Sequence, residues 1–410
     1  MKTPEILAPA GDFEKMEFAF AYGADAVYMA GRSFGLREGA GNFSDEELKR
    51  AVLFARQKSK KIYITANIFP YNSDIKPMEE YFSFLNTIKP DGIILSDLGA
   101  LSIAREKAPD VPIHISVQAN NLNYAAVKAW QALGASRIIL ARELPFDDIK
   151  MIREKCPDME LEIFVHGAIC VSYSGRCLIS QYMTGKDANH GECTQGCRWK
   201  YRLEEEKRPG EYLDVEEDKR GTYLFNSKDL CAFFDLHKFI EIGIDSFKIE
   251  GRMKSSYYAA ITAGVYKKAV NAYMSAPAGY AADKGLYEEL LKVSHREFTD
   301  AFYFPDGSTT QYLKTSNYSA TTRFAGFIKT AAKTLRENIF SARAEIKSTT
   351  KLGDILSVIT PSWKKYDIKI TGIKSADDIE LTYTNKYGGF LIEFESESMP
   401  ESMSILRVNL

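Results

Sequence analysis

The sequence has no long hydrophobic run, and no stretch approaches the roughly 20 apolar residues that a membrane-spanning helix requires. Its first residues, MKTPEILAPAG, also lack the apolar core of a secretory signal peptide. Neither sign of charge is in excess, because 53 Lys and Arg oppose 55 Asp and Glu and leave a formal net charge of -2. These absences argue against membrane insertion, secretion and a general attraction to nucleic acid. We therefore expect a cytoplasmic protein whose contacts with charged partners are local.

Cysteine and histidine are scarce, which limits the metal sites and disulfide bonds that the chain can form. Six cysteines in 410 residues do not make the disulfide framework of a secreted protein. The five histidines form no H-E-x-x-H motif, and no G-x-G-x-x-G follows the first apolar segment. The remaining composition, with 45% hydrophobic and 26% charged residues, is that of an ordinary globular protein.

Short apolar segments alternate with helical patterns over about the first 250 residues, as in repeated βα units with a parallel sheet. The eight predicted strands are Glu5 to Ala8, Ala26 to Ala30, Lys61 to Asn67, Gly92 to Ser96, Ile113 to Gln118, Arg137 to Arg142, Glu162 to His166, and Ser246 to Glu250. Eight such strands predict a TIM-like (β/α)8 barrel; an open doubly wound sheet is the alternative. About 80 residues separate the seventh strand from the eighth, so the barrel is predicted to carry a long insertion there.

We predict three segments: a barrel domain at 1–275 with a cysteine-rich insertion at 167–225, a helical and aromatic connector at 276–320, and a small all-β barrel at 321–410. A charged run within the insertion, Glu204 to Gly221, has alternating signs and is interpreted as a solvated hairpin. Helices are predicted at Ser255 to Met274 and Leu286 to Arg296. The strands predicted for the last domain are Ile339 to Ile346, Asp354 to Thr360, Tyr366 to Ile373 and Ile379 to Tyr383.

Polar residues follow most of the predicted barrel strands, and these strand ends converge on the face of a TIM barrel that carries active sites. The residues are Asn67, Gln118, Asn120, Arg142, Glu143, His166, Lys248, Glu250 and Arg252. For any single one of them, strand capping is the better explanation. Because polar residues follow most of the strands, an active site at this face is favoured over capping alone.

Four of the six cysteines lie within the insertion, at Cys170, Cys177, Cys193 and Cys197, in the spacing C-x6-C-x15-C-x3-C. Thiolates this close repel one another and are costly to desolvate. The grouping of the four cysteines therefore favours a shared metal over unligated buried cysteines. Zinc and a 4Fe-4S cluster both accept four cysteine ligands. The six residues between the first two cysteines are a wider spacing than a zinc site usually has, which modestly favours the 4Fe-4S cluster. Cys231 follows an expected helix start and is the residue that could replace one of these four ligands. A nucleophilic pair of Cys170 with His166 is a further alternative.

The segment EIFVHGAIC, from Glu162 to Cys170, and the segment GRCLIS, from Gly175 to Ser180, together resemble the signature of peptidase family U32. The opening PEILAPAGDF and the blocks VQAN, LARE, FNSKDL and DSFKIEGRMKS resemble the longer members of the family, which also carry a C-terminal β domain. One departure is Gly196, where the tRNA-modifying members often have proline before the last cysteine.

The family is named for collagenase-like proteases, but the resemblance to its tRNA 5-hydroxyuridine-forming members implies a different activity. It implies an iron-sulfur enzyme that hydroxylates the wobble uridine of tRNA without molecular oxygen and with prephenate as co-substrate. The four clustered cysteines would then hold a 4Fe-4S cluster, and His166, Glu143 and Glu250 would be catalytic. Asn67, Gln118 and Asn120 would bind the base, while Arg142, Arg176, Arg198, Lys248 and Arg252 would bind carboxylates.

Two other functions stay open at this point. One is a peptidase, as the family name says, and the other is an RNA-binding or assembly factor with a structural zinc. The expected partners are the tRNA anticodon loop, prephenate, and an electron donor or a second copy of the chain, with no membrane.

Overall fold

The computed structural model of the chain describes residues 2–36, 41–199, 227–305, 319–384 and 387–410. The charged run that we predict to be a hairpin, at 204–221, lies outside the described residues. Among the helices that are described, none combines the length and hydrophobicity that a bilayer crossing requires. The chain divides into two compact units. The first comprises Met1–Phe20, Ala24–Tyr287 and His295–Tyr318, and the second comprises Ala21–Gly23, Glu288–Ser294 and Ser319–Leu410.

The first unit is built on a closed parallel barrel, which confirms the predicted fold. The strands of this unit are β1 (Glu5–Pro9), β2 (Ala26–Ala30), β3 (Lys61–Thr65), β4 (Gly92–Leu95), β5 (Ile113–Ile115), β6 (Arg137–Ile139), β7 (Glu160–Ala168), β8 (Asp229–Cys231), β9 (Ser246–Ile249) and β10 (Phe298–Thr299), and all but β8 and β10 form the barrel. Strands β1 to β7 pair in sequence order, and β9 closes the barrel because Ser246 pairs with both Glu5 of β1 and Glu162 of β7.

Helices separate the barrel strands. They are α1 (Phe13–Ala21), α2 (Asp45–Gln57), α3 (Ile75–Ile88), α4 (Leu98–Lys107), α5 (Tyr124–Ala132), α6 (Phe146–Lys155), α7 (Ile179–Thr184), α8 (Leu236–Glu241), α9 (Ser256–Ser275) and α10 (Lys284–Lys292). Six of those described begin after a side chain that accepts a backbone N–H of the first turn, namely Asp12, Ser44, Asp97, Asn123, Ser255 and Asp283. The predicted helices near residues 255 and 286 are confirmed as α9 and α10.

All eight predicted barrel strands are present, but several end earlier than predicted. The fifth stops at Ile115, after which Val117–Ala119 form a 3-10 turn, and the sixth stops at Ile139. The polar residues beyond these points belong to loops rather than to the ladder. They are therefore free to turn toward the mouth of the barrel.

One secondary-structure prediction in the first unit is wrong. The segment before Cys231 is not a helix start but strand β8, which pairs antiparallel with the end of β7, and helix α8 begins only at Leu236. Strand β7 is nine residues long and extends to Ala168, so its last residues offer an unpaired edge. Buried Leu230, Cys231 and Ala232 fill that edge, and tertiary pairing overrides the local helical preference.

The second unit is a small antiparallel barrel, as predicted. Its strands are β11 (Thr322–Lys333), β12 (Ile339–Ile346), β13 (Ile355–Ile359), β14 (Lys365–Lys374), β15 (Gly388–Glu395) and β16 (Ile405–Asn409), closed in the order β11-β12-β15-β14-β13-β16. The predicted strand from Ile379 to Tyr383 is wrong, because this segment makes only isolated bridges. Of its alternating apolar residues, Leu381 packs against the core, but Ile379 and Tyr383 are 61% and 50% exposed. The predicted segment boundaries at 275 and 320 stay predictions.

Candidate functional site

An open cavity lies at the carboxyl ends of the barrel strands of the first unit, where the fold predicts an active site. Its volume is about 160 Å³, whereas one water needs roughly 10–15 Å³ on the same measure, so it has room for a small molecule. Eleven of the predicted site residues line it: Asn67, Gln118, Arg142, Glu143, Cys170, Cys177, Cys193, Cys197, Lys248, Glu250 and Arg252. Apolar side chains from the barrel interior, including Tyr28, Ile94, Ile139 and Phe164, complete the lining.

The cysteines reach the cavity from the segment that follows β7, residues 169–199, which we call the cysteine segment. Its middle part is bound to the loop after β3 at three points. The backbone N–H of Phe69 donates to the carbonyl of Asn189 at 3.1 Å, and the Tyr71 hydroxyl donates to Asp187 at 2.8 Å. His190 Nε2 lies 3.0 Å from the Asp74 carboxylate.

The beginning and the end of the cysteine segment are bound to three other barrel loops. Glu143, in the loop after β6, accepts hydrogen bonds from the backbone N–H and the hydroxyl of Ser174, at 2.5 and 3.2 Å. Arg176 Nε donates to the carbonyl of Gln118 at 2.7 Å. Gln195 Nε2 lies 3.8 Å from the sulfur of Met253, in the loop after β9. Contacts on several sides thus hold the segment, and its thiols, over the mouth of the barrel.

The four thiols are partly exposed and close enough to affect one another's ionisation. Burial raises the pKa of Cys197; Arg198 opposes this, and the neighbouring Cys170, Cys193 and Cys177 raise the pKa further. Within the described ranges, no group of three or more His, Cys, Asp or Glu side chains is arranged to hold a metal ion. Cys170, Cys177, Cys193 and Cys197 all line the cavity, and four cysteine thiolates are a donor set that both zinc and a 4Fe-4S cluster accept.

The other two cysteines lie away from this cavity. Cys231 is buried opposite His166 in the β7–β8 register, with its sulfur 3.7 Å from the Tyr266 hydroxyl, and burial raises its pKa to about 11. Cys156 is also buried, and its thiol donates to the carbonyl of Tyr124 at 3.6 Å. Both thiols have the surroundings of packing residues rather than of ligands.

His166, which we predict to be catalytic, does not line the cavity. Its buried ring packs against Tyr258, Tyr266 and Phe298. Nδ1 lies 3.3 Å from the Tyr266 hydroxyl, and burial lowers the pKa of the imidazole to about 3, which keeps it neutral. Phe164 faces the cavity, but the register of β7 shifts between Phe164 and His166, so the expected alternation of faces is lost there.

Three other predicted site residues also lie outside the cavity lining. Arg176 is exposed and lies against the ring of Phe69, 5.0 Å from its centre. Arg198 belongs to the cysteine segment next to Cys197. Asn120 takes a left-handed conformation with φ 55° at the end of the 3-10 turn.

Fixed partners hold the remaining polar residues of the cavity. Asn67 Nδ2 donates to Gln118 Oε1 at 2.6 Å, which leaves the second amide N–H of Asn67 and the amide group of Gln118 as hydrogen-bonding groups for a ligand. Arg252 donates to the Thr65 hydroxyl at 3.2 Å and to the carbonyl of Leu36. Glu250 uses its backbone carbonyl to accept the Tyr258 hydroxyl at 2.8 Å.

Sequence reasoning missed a buried ion network inside the barrel. Arg137 of β6 donates to Glu5 at 2.8 Å and to Glu162 at 3.2 Å, and Lys248 of β9 donates to Glu162 at 2.9 Å. Tyr63 adds a hydrogen bond to Glu5 at 2.7 Å. The signal was present in the sequence, because charged residues interrupt otherwise apolar strand segments such as SFKI and ELEIF.

Comparisons with known proteins agree with the sequence signature. The model of peptidase family U32 matches residues 11–312. The tRNA hydroxylation protein P of Escherichia coli (strain K12) is 41% identical over 341 residues, which cover 74% of this chain and 75% of that protein. The protein of the same name from Haemophilus influenzae is 38% identical over 400 residues, covering 87% and 86%. A protein named Collagenase, from Porphyromonas gingivalis, is 33% identical over 310 residues and covers 73% of each chain.

Proposed function

This chain belongs to peptidase family U32, and from that premise we propose that it is an enzyme that hydroxylates tRNA. Two relatives that are named for tRNA hydroxylation support this, since each aligns with about three quarters or more of both chains. In its finer form, the proposal is that the reaction takes place at the wobble uridine, proceeds without molecular oxygen, and uses prephenate together with a 4Fe-4S cluster.

The observation that carries the proposal is the meeting of four cysteines with polar and basic side chains in one cavity at the barrel mouth. Cys170, Cys177, Cys193 and Cys197 would hold the cluster, which supplies one-electron transfer. With water as the source of oxygen, hydroxylation of a uridine at C5 replaces a C–H bond by C–OH and releases two electrons and two protons. It would therefore need a redox group beside the substrate and an electron acceptor outside the chain. A purely structural metal would have no reason to lie there.

The same cavity has groups that suit an unstacked base and a small anion. Asn67 and Gln118 present amide groups of the kind that hydrogen-bond to the edge of uracil. Arg142, Lys248 and Arg252 line the cavity and give it positive charge, which suits a small dicarboxylate such as prephenate. Glu143 and Glu250 are the carboxylates that line the cavity and would carry acid–base steps. An anticodon loop already presents its wobble base outside a duplex, which lowers the free energy needed to bring the base into the cavity.

A peptidase is the second candidate, because one relative is named Collagenase. A cysteine peptidase needs a histidine beside its nucleophile. None of the described histidines lines the cavity, and His166 is neutral, buried and hydrogen-bonded to Tyr266. The arrangement around Cys170 therefore favours hydroxylation over peptide hydrolysis.

The test is mass spectrometry of tRNA nucleosides from host cells grown without oxygen, with and without this gene. We expect 5-hydroxyuridine derivatives to disappear on deletion and to return with the wild-type gene or with Cys156→Ser. They should not return with Cys170→Ser. Unchanged nucleosides on deletion would contradict the proposal. Unchanged nucleosides together with about one zinc per purified chain would favour an RNA-binding or assembly factor.

A further inference from the structure

Lys248 is a buried cation at the inner end of the cavity. Its side chain is 5% exposed, it comes from barrel strand β9, and its ammonium group donates to Glu162 at 2.9 Å. Glu162 is fully buried and also accepts a hydrogen bond from Arg137, which is 3% exposed. The rings of Tyr28 and Phe164 lie beside the ammonium group, with centres 4.6 and 5.4 Å away.

Stability is a weak reason for placing such a network in a barrel interior. Removing charges from water costs several kcal/mol per ion, and well-packed apolar residues often replace a buried ion pair without loss. The neighbouring interior positions show that this barrel accepts such residues, since Ile94 and Ile139 line the same cavity. Because Lys248 of this ion network lines the cavity, binding of a ligand in the cavity explains the network better than stability does.

The ammonium group retains hydrogen-bonding capacity on the cavity side. It has three N–H donors, and among the residues that the structure describes Glu162 accepts one of them. Burial lowers the pKa of Lys248, and the charge of Glu162 opposes this. An anion that entered the cavity would accept the remaining donors and would also stabilise the charged form of the lysine.

The arginines that we predicted as carboxylate ligands have other hydrogen-bond partners or lie elsewhere. Arg142 donates to the carbonyl of Ala168 at 2.9 Å, and its Cζ lies over the ring of Phe164, 3.7 Å from the ring centre. Arg252 donates to Thr65 and Leu36. Arg176 and Arg198 do not line the cavity.

We propose that Lys248 binds a carboxylate of the small-molecule substrate, and that Glu162 is a positioning residue that holds the ammonium group toward it. The ligand class is a carboxylate joined to a small flat or apolar body, because Tyr28 and Phe164 lie beside the ammonium group and Ile94 and Ile139 line the same cavity. Such a ligand would lie between Lys248 in the barrel and the thiols of the cysteine segment. This inference rests on the proposed function, in which prephenate is the co-substrate.

The test is isothermal titration calorimetry of the purified full chain with prephenate, and separately with the anticodon stem-loop of its tRNA. Lys248→Met should weaken prephenate binding at least about tenfold, because it removes a charge-assisted hydrogen bond. Lys248→Arg, which keeps the charge, should lose less. Glu162→Gln should weaken prephenate binding by a similar factor and leave RNA binding unchanged, which a general structural defect would not do.

Lys267→Met is the matched control, because Lys267 forms an ion pair with Asp25 at 2.7 Å and does not line the cavity. It should bind prephenate as the wild type does. Equal binding by wild type and Lys248→Met, or a parallel loss of RNA binding, would overturn the proposal. So would the absence of any binding to the wild-type chain. The nucleoside measurement in cells needs no added prephenate, so it decides the proposed function separately.

Discussion

The six cysteines of this protein fall into two groups that differ in burial. Cys156 and Cys231 are buried, while the four in the cysteine segment are partly exposed. A thiol must lose its proton to bind a metal, and a dry apolar environment opposes this. For that reason Cys231, with a pKa raised to about 11, is a poor substitute ligand, although the sequence alone allowed it.

Serine substitutions test this division. If the proposed 4Fe-4S cluster is bound there, Cys170→Ser and Cys193→Ser should each lose most of the iron and the brown absorbance that anaerobically purified wild type would have, because a hydroxyl is a much weaker ligand for iron than a thiolate. Iron analysis and visible spectroscopy measure the result. Cys156→Ser is the control and should keep its iron; equal loss in all three variants would contradict the ligand assignment.

His166 offers a second test at the residue scale. His166→Asn keeps a hydrogen-bonding group near Nδ1 but removes the imidazole. Since His166 lies outside the cavity lining, we expect tRNA hydroxylation within about threefold of wild type and a loss of roughly 1–3 kcal/mol in unfolding free energy from poorer packing. Nucleoside analysis and urea denaturation measure the two effects. Complete loss of activity in a stably folded variant would restore His166 as a catalytic residue.

At the scale of elements, the end of β7 brings the cysteine segment to the barrel mouth. Gly167 has φ 105°, and a Cβ there would lie 2.5 Å from the carbonyl oxygen of Glu250 in the loop after β9. The close approach of these two strand ends is available only to glycine. Gly185, which ends helix α7 with φ 73°, has open space where its Cβ would be.

These two glycines form a matched pair. Gly185→Ala should cost about 1 kcal/mol in unfolding free energy, because only backbone strain is added. Gly167→Ala should cost at least about 2 kcal/mol more, since backbone must also move. Urea denaturation of both variants gives the comparison. A similar cost for both would show that the β7 and β9 ends separate easily.

At the scale of the whole molecule, each unit has its own buried ion network. In the first unit the network joins Glu5, Arg137, Glu162 and Lys248. In the second unit Glu289, 1% exposed, accepts hydrogen bonds from Arg407 at 2.5 Å and from Lys292 and Lys365 at 2.8 Å each. Burial alone would raise the pKa of Glu289, but its hydrogen bonds and the charge of Arg407 lower it to about 2.

A carboxylate with a lowered pKa in the folded state stabilises the protein at pH values above its ordinary pKa. For Glu289 this contribution is about 3 kcal/mol at pH 7, and it is lost as the pH falls from about 4.5 toward 2. Glu289→Gln should therefore be about 3–5 kcal/mol less stable than wild type at pH 7, because it leaves Arg407 buried without its carboxylate. Near pH 3 the difference should be about half as large or less. Denaturation at several pH values measures it, and a difference that does not change with pH would contradict the assigned pKa.

Much of the fold was predictable because it rests on local patterns. Eight apolar segments with helices between them specify a parallel barrel, and the C-terminal alternation specifies a small β barrel. The predictions failed where tertiary contacts decided the outcome. Strand β8 forms because β7 offers an unpaired edge. The segment from Ile379 to Tyr383 stays out of the ladder, since Leu381 packs against the core while Ile379 and Tyr383 face solvent.

The sequence by itself determined the chemistry available at the site, because the cysteine spacing and the polar strand ends are properties of residue order. Only the tertiary structure decided which of those residues meet. A register shift in β7 turns His166 away from the cavity, and partners in distant strands, Arg137 and Glu162, hold Lys248 toward it. Residue order fixes neither, since the direction of a side chain depends on strand register and on neighbours that are more than 20 residues away in the chain.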